Sequence, residues 1–172
     1  MKTKILVTLI AIACFIACDN NEGKPQRSEN DIIVDNIISQ CKGYETKDIA
    51  QYISGKWEVD ASLIYNEDWS TIKSAHKISG EWYAEGGGYE KYTFAIDGTG
   101  SFYFRCIGAY GATEEGVLSF EWQYDTTDKK LVLSGEFNGR YNVSGFNEEY
   151  IVLDYYVSNT NQYIREILKK VE

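Results

Sequence analysis

The chain has 172 residues, of which 44% are hydrophobic, 15% aromatic and 25% charged, and its formal net charge is −9. These values predict one globular domain and exclude a disordered chain. The negative charge argues against binding to nucleic acid or to anionic lipid, because both need clustered Lys and Arg. The single histidine, His76, leaves no pair for a catalytic zinc site, so we expect neither a metal nor a cofactor.

Residues 1–17 are predicted to form a lipoprotein signal peptide. Lys2 and Lys4 precede an apolar run over residues 5–13 that is too short to span a membrane and is typical of a signal-peptide core. The segment that ends at Cys18 resembles a bacterial lipobox, in which a small residue precedes the cysteine that receives lipid. Cys14 has a similar sequence before it but lies inside the apolar run. We therefore expect Cys18 to be lipidated and to anchor the mature protein to the cell envelope.

Residues 18–30 contain no large apolar side chain, so they cannot bury enough surface to offset the entropy lost on ordering. They are predicted to form a flexible tether, and contact with the membrane is expected through the N-terminal lipid only. Cys41 and Cys106 then remain outside the anchor. In an oxidising envelope they either form a disulfide or stay as buried thiols, and the sequence leaves both open.

Residues 31–54 are predicted to form a helical segment. Apolar residues recur every three to four positions, which indicates an amphipathic helix over residues 28–41. A second, shorter helix is predicted over residues 47–53, with Thr46 as its N-terminal cap and Gly55 at its end. We expect this segment to pack at or near the base of the domain that follows.

From residue 55 onward the apolar residues alternate with a period of two, which predicts β-strands. Asp-Gly at residues 97–98, predicted to form a type I′ turn, and Asn-Gly at residues 138–139 are typical of tight hairpins. Residues 55–172 are therefore predicted to form a mainly β domain, an antiparallel up-and-down barrel of eight or nine strands, because closure removes exposed sheet edges. The first strand is predicted to bury one face, which comprises Trp57, Val59, Ala61, Leu63 and Tyr65.

Two short motifs resemble those of the lipocalins and the wider calycin group. Residues 55–57 (Gly-Lys-Trp) resemble the Gly-x-Trp opening of these barrels, and residues 94–100, with Asp-Gly at a hairpin, resemble small lipocalin-like lipoproteins of Gram-negative gut bacteria. The resemblance implies a lipocalin-like barrel in a Gram-negative cell envelope, anchored at the outer membrane. It also implies that a basic side chain packs over Trp57 and closes the barrel base. Arg165 is the matching residue, and Lys169 is the alternative.

Aromatic residues of the predicted strands share the parity of one sheet face. Besides Trp57, this stripe comprises Tyr92, Phe94, Phe102, Phe104, Phe120, Trp122 and Tyr141. The stripe either fills the core or lines a hollow interior, where tyrosine hydroxyls would orient a small, largely apolar ligand. The leading hypothesis is a non-catalytic binding protein with a flexible lid at residues 86–88 (Gly-Gly-Gly). The competing hypothesis is a protein-interaction or inhibitor module that acts through the mouth loops above a fully packed core.

No pattern in the sequence favours an enzyme. Residues 97–100 (Asp-Gly-Thr-Gly) differ in order from the Asp-Thr-Gly of aspartic proteases, which also need two carboxylates. The adjacent Glu114 and Glu115 are predicted to lie in a solvated turn rather than across the cleft that a glycosidase needs. Residues 125–127 (Asp-Thr-Thr) resemble a bacterial O-glycosylation sequence with Thr126 as acceptor, and they are also typical of an Asx-turn.

Overall fold

The computed structural model describes residues 29–171 except residues 45–46, 66, 68, 70–71, 79–80, 83–87 and 108–112. The predicted signal peptide, most of the tether, the cap at Thr46 and most of the glycine-rich lid lie outside the described residues. The side chains of residues 72–78, 81–82, 106–107 and 113 also lie outside the description, so only the backbone of these strand segments is considered.

Two helices precede the sheet. Helix α1 comprises Glu29–Gln40, which confirms the predicted amphipathic helix, and α2 comprises Ala50–Ile53. The second helix begins later than predicted, and in front of it the Asp48 Oδ1 accepts a hydrogen bond from the Ala50 N–H at 3.0 Å. Within the described part of the chain, neither helix combines the length and the apolar character that crossing a membrane requires.

The remaining elements form one antiparallel sheet. Its strands are β1 (Gly55–Tyr65), β2 (Ile72–Ile78), β3 (Glu81–Trp82), β4 (Gly88–Phe94), β5 (Thr99–Ile107), β6 (Thr113–Asp125), β7 (Lys130–Gly135), β8 (Gly139–Phe146), β9 (Tyr150–Val157) and β10 (Gln162–Val171). The strand order is β10-β9-β8-β7-β6-β5-β4-β1-β2-β3, and β10 pairs in addition with β1.

The pairing of β1 with β10 closes this sheet into a barrel. On its other edge, the first residues of β1 pair with β4 and its last residues pair with β2. The eight strands β1 and β4–β10 thus form a closed, lipocalin-like up-and-down barrel, as predicted, and β2 and β3 form a ribbon beside it. We call the end at which β1 begins the base, and the opposite end the mouth.

A β-bulge in β1 interrupts its register with β10. Val59 lies opposite Leu168 and Ala61 lies opposite Ile167, so Asp60 is an extra residue in β1. Side chains alternate between the two faces of a strand, and an extra residue therefore reverses which positions face inward.

The consequence is that β1 contributes to two separate cores. Trp57 and Val59 belong to the barrel interior, whereas Ala61, Leu63 and Tyr65 pack with α1 on the outside of the barrel. The prediction that all five side chains share one face is therefore wrong beyond the bulge. Apolar residues still alternate along the sequence there, but beyond the bulge the alternating apolar side chains point to the outside of the barrel.

The helices pack against two different parts of the barrel. On α1, Val34 and Ile37 are buried in the outer core together with Val152 of β9 and Ile167 of β10. At the base, α2 contributes Ile53 to the interior core, where its side chain is fully buried. The helical segment therefore closes the base through α2 and covers the outer wall through α1.

The hairpin between β4 and β5 has a different turn from the one predicted. The Gly98 N–H donates to the Ala95 oxygen at 3.1 Å, and Gly98 alone in this turn has a positive φ, 85°. A type I′ turn needs positive φ at both central residues. The observed turn is a type I turn followed by a left-handed glycine, so the type I′ prediction is wrong. Ile96 lies at its tip and is 90% exposed.

Candidate functional site

Trp57 closes the base of the barrel. Its side chain is fully buried, and its Nε1–H donates a hydrogen bond to the Ile53 backbone oxygen at 2.7 Å, which ties α2 to β1. The cation above the indole is Lys170, whose Nζ lies 5.2 Å from a ring centroid and which lies opposite Trp57 in the β1–β10 register. The expected stacking of Arg165 on Trp57 is therefore wrong. Lys169 does not stack on Trp57 either, because it is the neighbour of Lys170 in β10 and points to the opposite face of the strand.

Arg165 instead lies on the outer face of the barrel. Its Nε and Nη2 donate to the two carboxylate oxygens of Asp154, each at 2.6 Å. The rings of Tyr65 and Trp69 lie 5.2 and 5.5 Å from its Cζ, and the Ser144 hydroxyl also donates to Asp154. The arginine and aspartate side chains are only 14% and 10% exposed. This pair is a structural clamp on the outer wall.

The predicted aromatic stripe lies together inside the barrel. Besides the buried Trp57, five of its members are buried and two are partly buried against them: Tyr92, Phe94, Phe102, Phe120 and Tyr141, then Phe104 and Trp122. Near the base, the rings of Phe94 and Trp122 pack edge to face with centroids 5.8 Å apart. The Trp122 Nε1–H also donates to the Ala95 oxygen at 3.0 Å. These two rings belong to a packed base half.

Nearer the mouth, three rings form a stack. The Phe102 ring stacks with both Phe137 and Phe104, whose ring centroids lie 4.2 and 6.2 Å away and whose planes are tilted by 18° and 24°. Phe137 belongs to the loop between β7 and β8, and its N–H donates to the Ser119 oxygen at 3.2 Å. Phe104 lies across Gly116, where a Cβ would come within 2.9 Å of the ring. The stack forms the aromatic wall of the mouth half.

A buried carboxyl group, Glu166 of β10, lies at the centre of a polar network inside the barrel. The Tyr155 hydroxyl donates to its Oε1 at 2.6 Å and the Tyr92 hydroxyl donates to its Oε2 at 3.2 Å. The Tyr141 ring packs edge to face against Tyr155, with centroids 5.1 Å apart. Burial raises the pKa of Glu166, and the two tyrosine hydrogen bonds oppose this rise.

A second carboxyl group, Glu90, lies on the inner face of β4. It is two residues from Tyr92, on the same face, and opposite Phe104 in the β4–β5 register. Burial, and then repulsion from Glu166, raise the pKa of Glu90 to about 7. Within the part of the chain whose side chains are described, no Lys, Arg or His shifts the pKa of either carboxyl group. Among the described side chains, these two acids therefore lie together without a cation that compensates their charge.

A recess of about 310 Å³ opens beside this network at the mouth. Tyr141 and Tyr155 line it together with Asn138 and Arg140, and the Arg140 guanidinium is exposed and pairs with Asp128 at 3.3 Å. The Tyr141 ring lies against Gly139, where a Cβ would come within 2.5 Å of it. Solvent thus reaches the tyrosines of the network. We use the term mouth site for the group Glu90, Phe104, Phe137, Tyr141, Tyr155 and Glu166.

Four residues of the mouth site were missed by the sequence analysis: Glu90, Phe137, Tyr155 and Glu166. Glu90, Tyr155 and Glu166 carried a signal, since each lies on the same strand face as inward-facing apolar residues. A charged residue on an apolar face usually marks a partner or a function. Phe137 carried none, because it lies in a loop, where no periodicity applies.

Two further predicted features lie away from the mouth site. Glu114 and Glu115 lie in β6 rather than in a turn, and as neighbours in a strand they face opposite sides. Thr126 lies exposed in the turn between β6 and β7, where the Asp125 Oδ1 accepts a hydrogen bond from the Thr127 N–H at 2.9 Å. This is the expected Asx-turn, and glycosylation of Thr126 stays a prediction.

Cys41 is buried between the end of α1 and β8. A Cβ at Gly145 would come within 3.3 Å of its Sγ, and a cavity of about 220 Å³ adjoins it. The side chain of Cys106 lies outside the described residues. The choice between a disulfide and two thiols therefore stays open.

No protein-family model matches the chain, and no curated protein matches its sequence. Among solved structures, the chain is similar to a deswapped triple mutant of bovine odorant-binding protein, with 17% sequence identity and a TM-score of 0.41. The match covers 70% of this chain and 74% of that chain. The chain is also similar to the siderocalin Ex-FABP, with 10% identity, the same shares covered and a TM-score of 0.36. Both are lipocalins. Likeness at this level carries no functional argument, and the lipocalin-like barrel described above is defined by its own strand order and closure.

Proposed function

We propose that the protein is a non-catalytic, lipid-anchored binding protein of the cell envelope, which holds a small, largely apolar molecule in the mouth half of its barrel. The observation that supports this most directly is the mouth site. There, a stack of aromatic rings and a set of tyrosine hydroxyls lie inside one closed barrel. Pockets that bind small molecules combine apolar walls with a few fixed polar groups in this way.

The packing of the base half supports entry from the mouth alone. Trp57 is fully buried beneath α2, and Phe94 and Phe120 pack with ring centroids 5.5 Å apart above it. A ligand that enters from the base would have to displace this core. A ligand that enters from the mouth would meet the recess lined by Tyr141 and Tyr155 first.

The uncharged fluorescent probe N-phenyl-1-naphthylamine should bind at one site per chain with micromolar affinity, which corresponds to about −8 kcal/mol. Fluorescence titration measures this directly. Because only the folded barrel has the site, a probe concentration of about 100 times Kd should stabilise the protein by roughly 2.7 kcal/mol. Calorimetry at several probe concentrations checks this second effect.

Phe104→Trp should weaken probe binding by about tenfold or more, since the larger ring occupies the mouth half. The matched control is Glu115→Ala, which alters an exposed side chain on β6 and should leave binding unchanged. If wild-type protein binds no probe and Phe104→Trp only lowers stability, the barrel is solid. The function then belongs to the mouth loops, as the protein-interaction hypothesis holds.

Anchoring is tested separately. Cys18→Ser should move the protein from the membrane fraction to the soluble fraction, because the acylated cysteine supplies the membrane affinity. Cys14→Ser is the control and should leave the protein with the outer membrane. A Cys18→Ser protein that still pellets with membranes would overturn the lipobox assignment without affecting the binding proposal.

A further inference from the structure

We propose that the mouth site selects an apolar molecule that ends in a protonated amine, with Glu90 as the counter-ion of that amine. This inference rests on the proposed function and names the chemical class of its ligand. Two observations support it. The first is the set of charged and hydrogen-bonding groups in the described interior, and the second is that some of these groups already pair with each other.

The two carboxyl groups of the interior differ in whether a donor already occupies them. Glu166 already accepts hydrogen bonds from Tyr155 and Tyr92. For Glu90, by contrast, no hydrogen bond from any described residue is found, and the influences on it are its own burial and the charge of Glu166. With respect to the described side chains, its two oxygens therefore have no donor, and a bound ligand would supply one.

The charges of the site favour a cation over the alternatives. An anionic ligand such as a fatty acid would meet two carboxyl groups. Lys170, a basic side chain on the inward parity of β10, lies at the other end of the barrel above Trp57. A neutral alcohol would gain one hydrogen bond but no ion pair. An ammonium group would gain both, and the rings of Phe104 and Phe137 would add cation–π attraction.

A metal ion is a poorer match than an amine. Hard cations such as Ca²⁺ take six to eight oxygen ligands, as a general rule. In the described part of the chain, no group of three or more Asp, Glu, His or Cys side chains converges on one point. The aromatic wall beside Glu90 instead suits the hydrocarbon body of an organic amine.

The test compares three ligands with the same eight-carbon chain: n-octylamine, 1-octanol and octanoate. Each displaces N-phenyl-1-naphthylamine from the wild-type protein at pH 8. Octylammonium should displace the probe at a concentration about tenfold lower than octanol, and octanoate should be the weakest of the three. Equal potency of all three, or tighter binding of octanoate, would overturn the inference.

Two variants locate the effect. Glu90→Gln should bring octylammonium to the level of octanol, with both measured on the same variant, and Glu166→Gln should reduce the amine preference by a smaller factor. Glu115→Gln, which removes an exposed carboxyl group from the outer face of β6, is the matched control and should keep the full preference. A Glu90→Gln protein that keeps the full preference would contradict the role of Glu90.

The pH dependence gives a readout that needs no variant. Glu90 is faced by Glu166 from β10, Tyr92 on its own strand, Tyr141 from β8 and Tyr155 from β9, and burial raises the pKa of these tyrosines, so they stay neutral. Because the pKa of Glu90 is about 7, Glu90 gains its charge as pH rises through that value. Octylammonium stays protonated up to about pH 10. Its affinity should therefore rise between about pH 6 and 8, whereas that of octanol should stay flat.

The outcomes separate the two proposals. Probe binding without any amine preference leaves the binding function intact and overturns the amine inference. Absence of binding by the probe and by all three ligands overturns both. Amine preference with a flat pH profile would overturn Glu90 as the titrating counter-ion.

Discussion

Replacing Trp57 with alanine should lower the free energy of unfolding by about 3–5 kcal/mol, the range found when a buried aromatic side chain is truncated. The indole is fully buried at the base and holds α2 through its hydrogen bond to Ile53. Its removal leaves a cavity and an unpaired carbonyl group at the same point. Urea denaturation, followed by far-UV circular dichroism, measures the loss.

Lys170 provides the comparison for this variant. Lys170→Met keeps the aliphatic length of the side chain and removes the charge above the indole together with a long, exposed hydrogen bond to the Tyr52 oxygen, so it should cost about 0.5–1 kcal/mol. In the Trp57→Ala background the same change should cost less, because the partner ring is absent. A midpoint for Trp57→Ala close to that of wild type would show that this side chain does not hold the base together.

Breaking the outer clamp should have an effect of similar size. Arg165→Met alone, or Asp154→Leu alone, should destabilise by about 3–5 kcal/mol, since each leaves a poorly solvated charge without its partner. The double variant should be close to wild type in stability, because it replaces the pair with apolar side chains of similar volume. The four urea midpoints of this cycle give the coupling directly.

The exposed pair Arg140–Asp128 is the matched control. Its side chains are 57% and 51% exposed. The equivalent single changes there should cost less than about 1 kcal/mol, as exposed ion pairs usually do. Probe binding should survive the loss of Arg165, which lies on the outer wall. If Arg165→Met lowers the free energy of unfolding no more than Arg140→Met does, burial of the clamp does not add to its contribution to stability.

The architecture was predictable because strands and turns leave local signals. The period of two from residue 55 onward and the Asp-Gly turn signal fall in the same part of the chain as the strands and hairpins of the structure. The helix α1 was likewise predictable from its spacing of apolar residues. These features depend on neighbours in sequence, so a single chain carries them.

The site was predictable only in part, because it depends on register. The aromatic stripe followed from parity within each strand, but the partner of Trp57 did not. Which residue of β10 lies opposite Trp57 is set by strand pairing and by the bulge at Asp60. Arg165 was predicted to stack on Trp57 because it is basic and lies near the end of the last strand, whereas Lys170 is the residue that lies opposite Trp57. Phe137 reaches the interior from a loop, which no repeat pattern describes.

The bulge at Asp60 also means that counting odd and even positions along β1 does not by itself tell which way a side chain faces. Beyond the bulge, Ser62 lies opposite Glu166 in the register, while Leu63 faces outward, opposite Arg165. Deleting Asp60 alone would make Val59 and Ala61 neighbours opposite Leu168 and Ile167, so the remaining residues would alternate without interruption and keep these facings. A sequence alignment of this chain with a barrel that lacks the bulge therefore needs a gap at Asp60. Without that gap, the alignment would compare inward residues of one barrel with outward residues of the other.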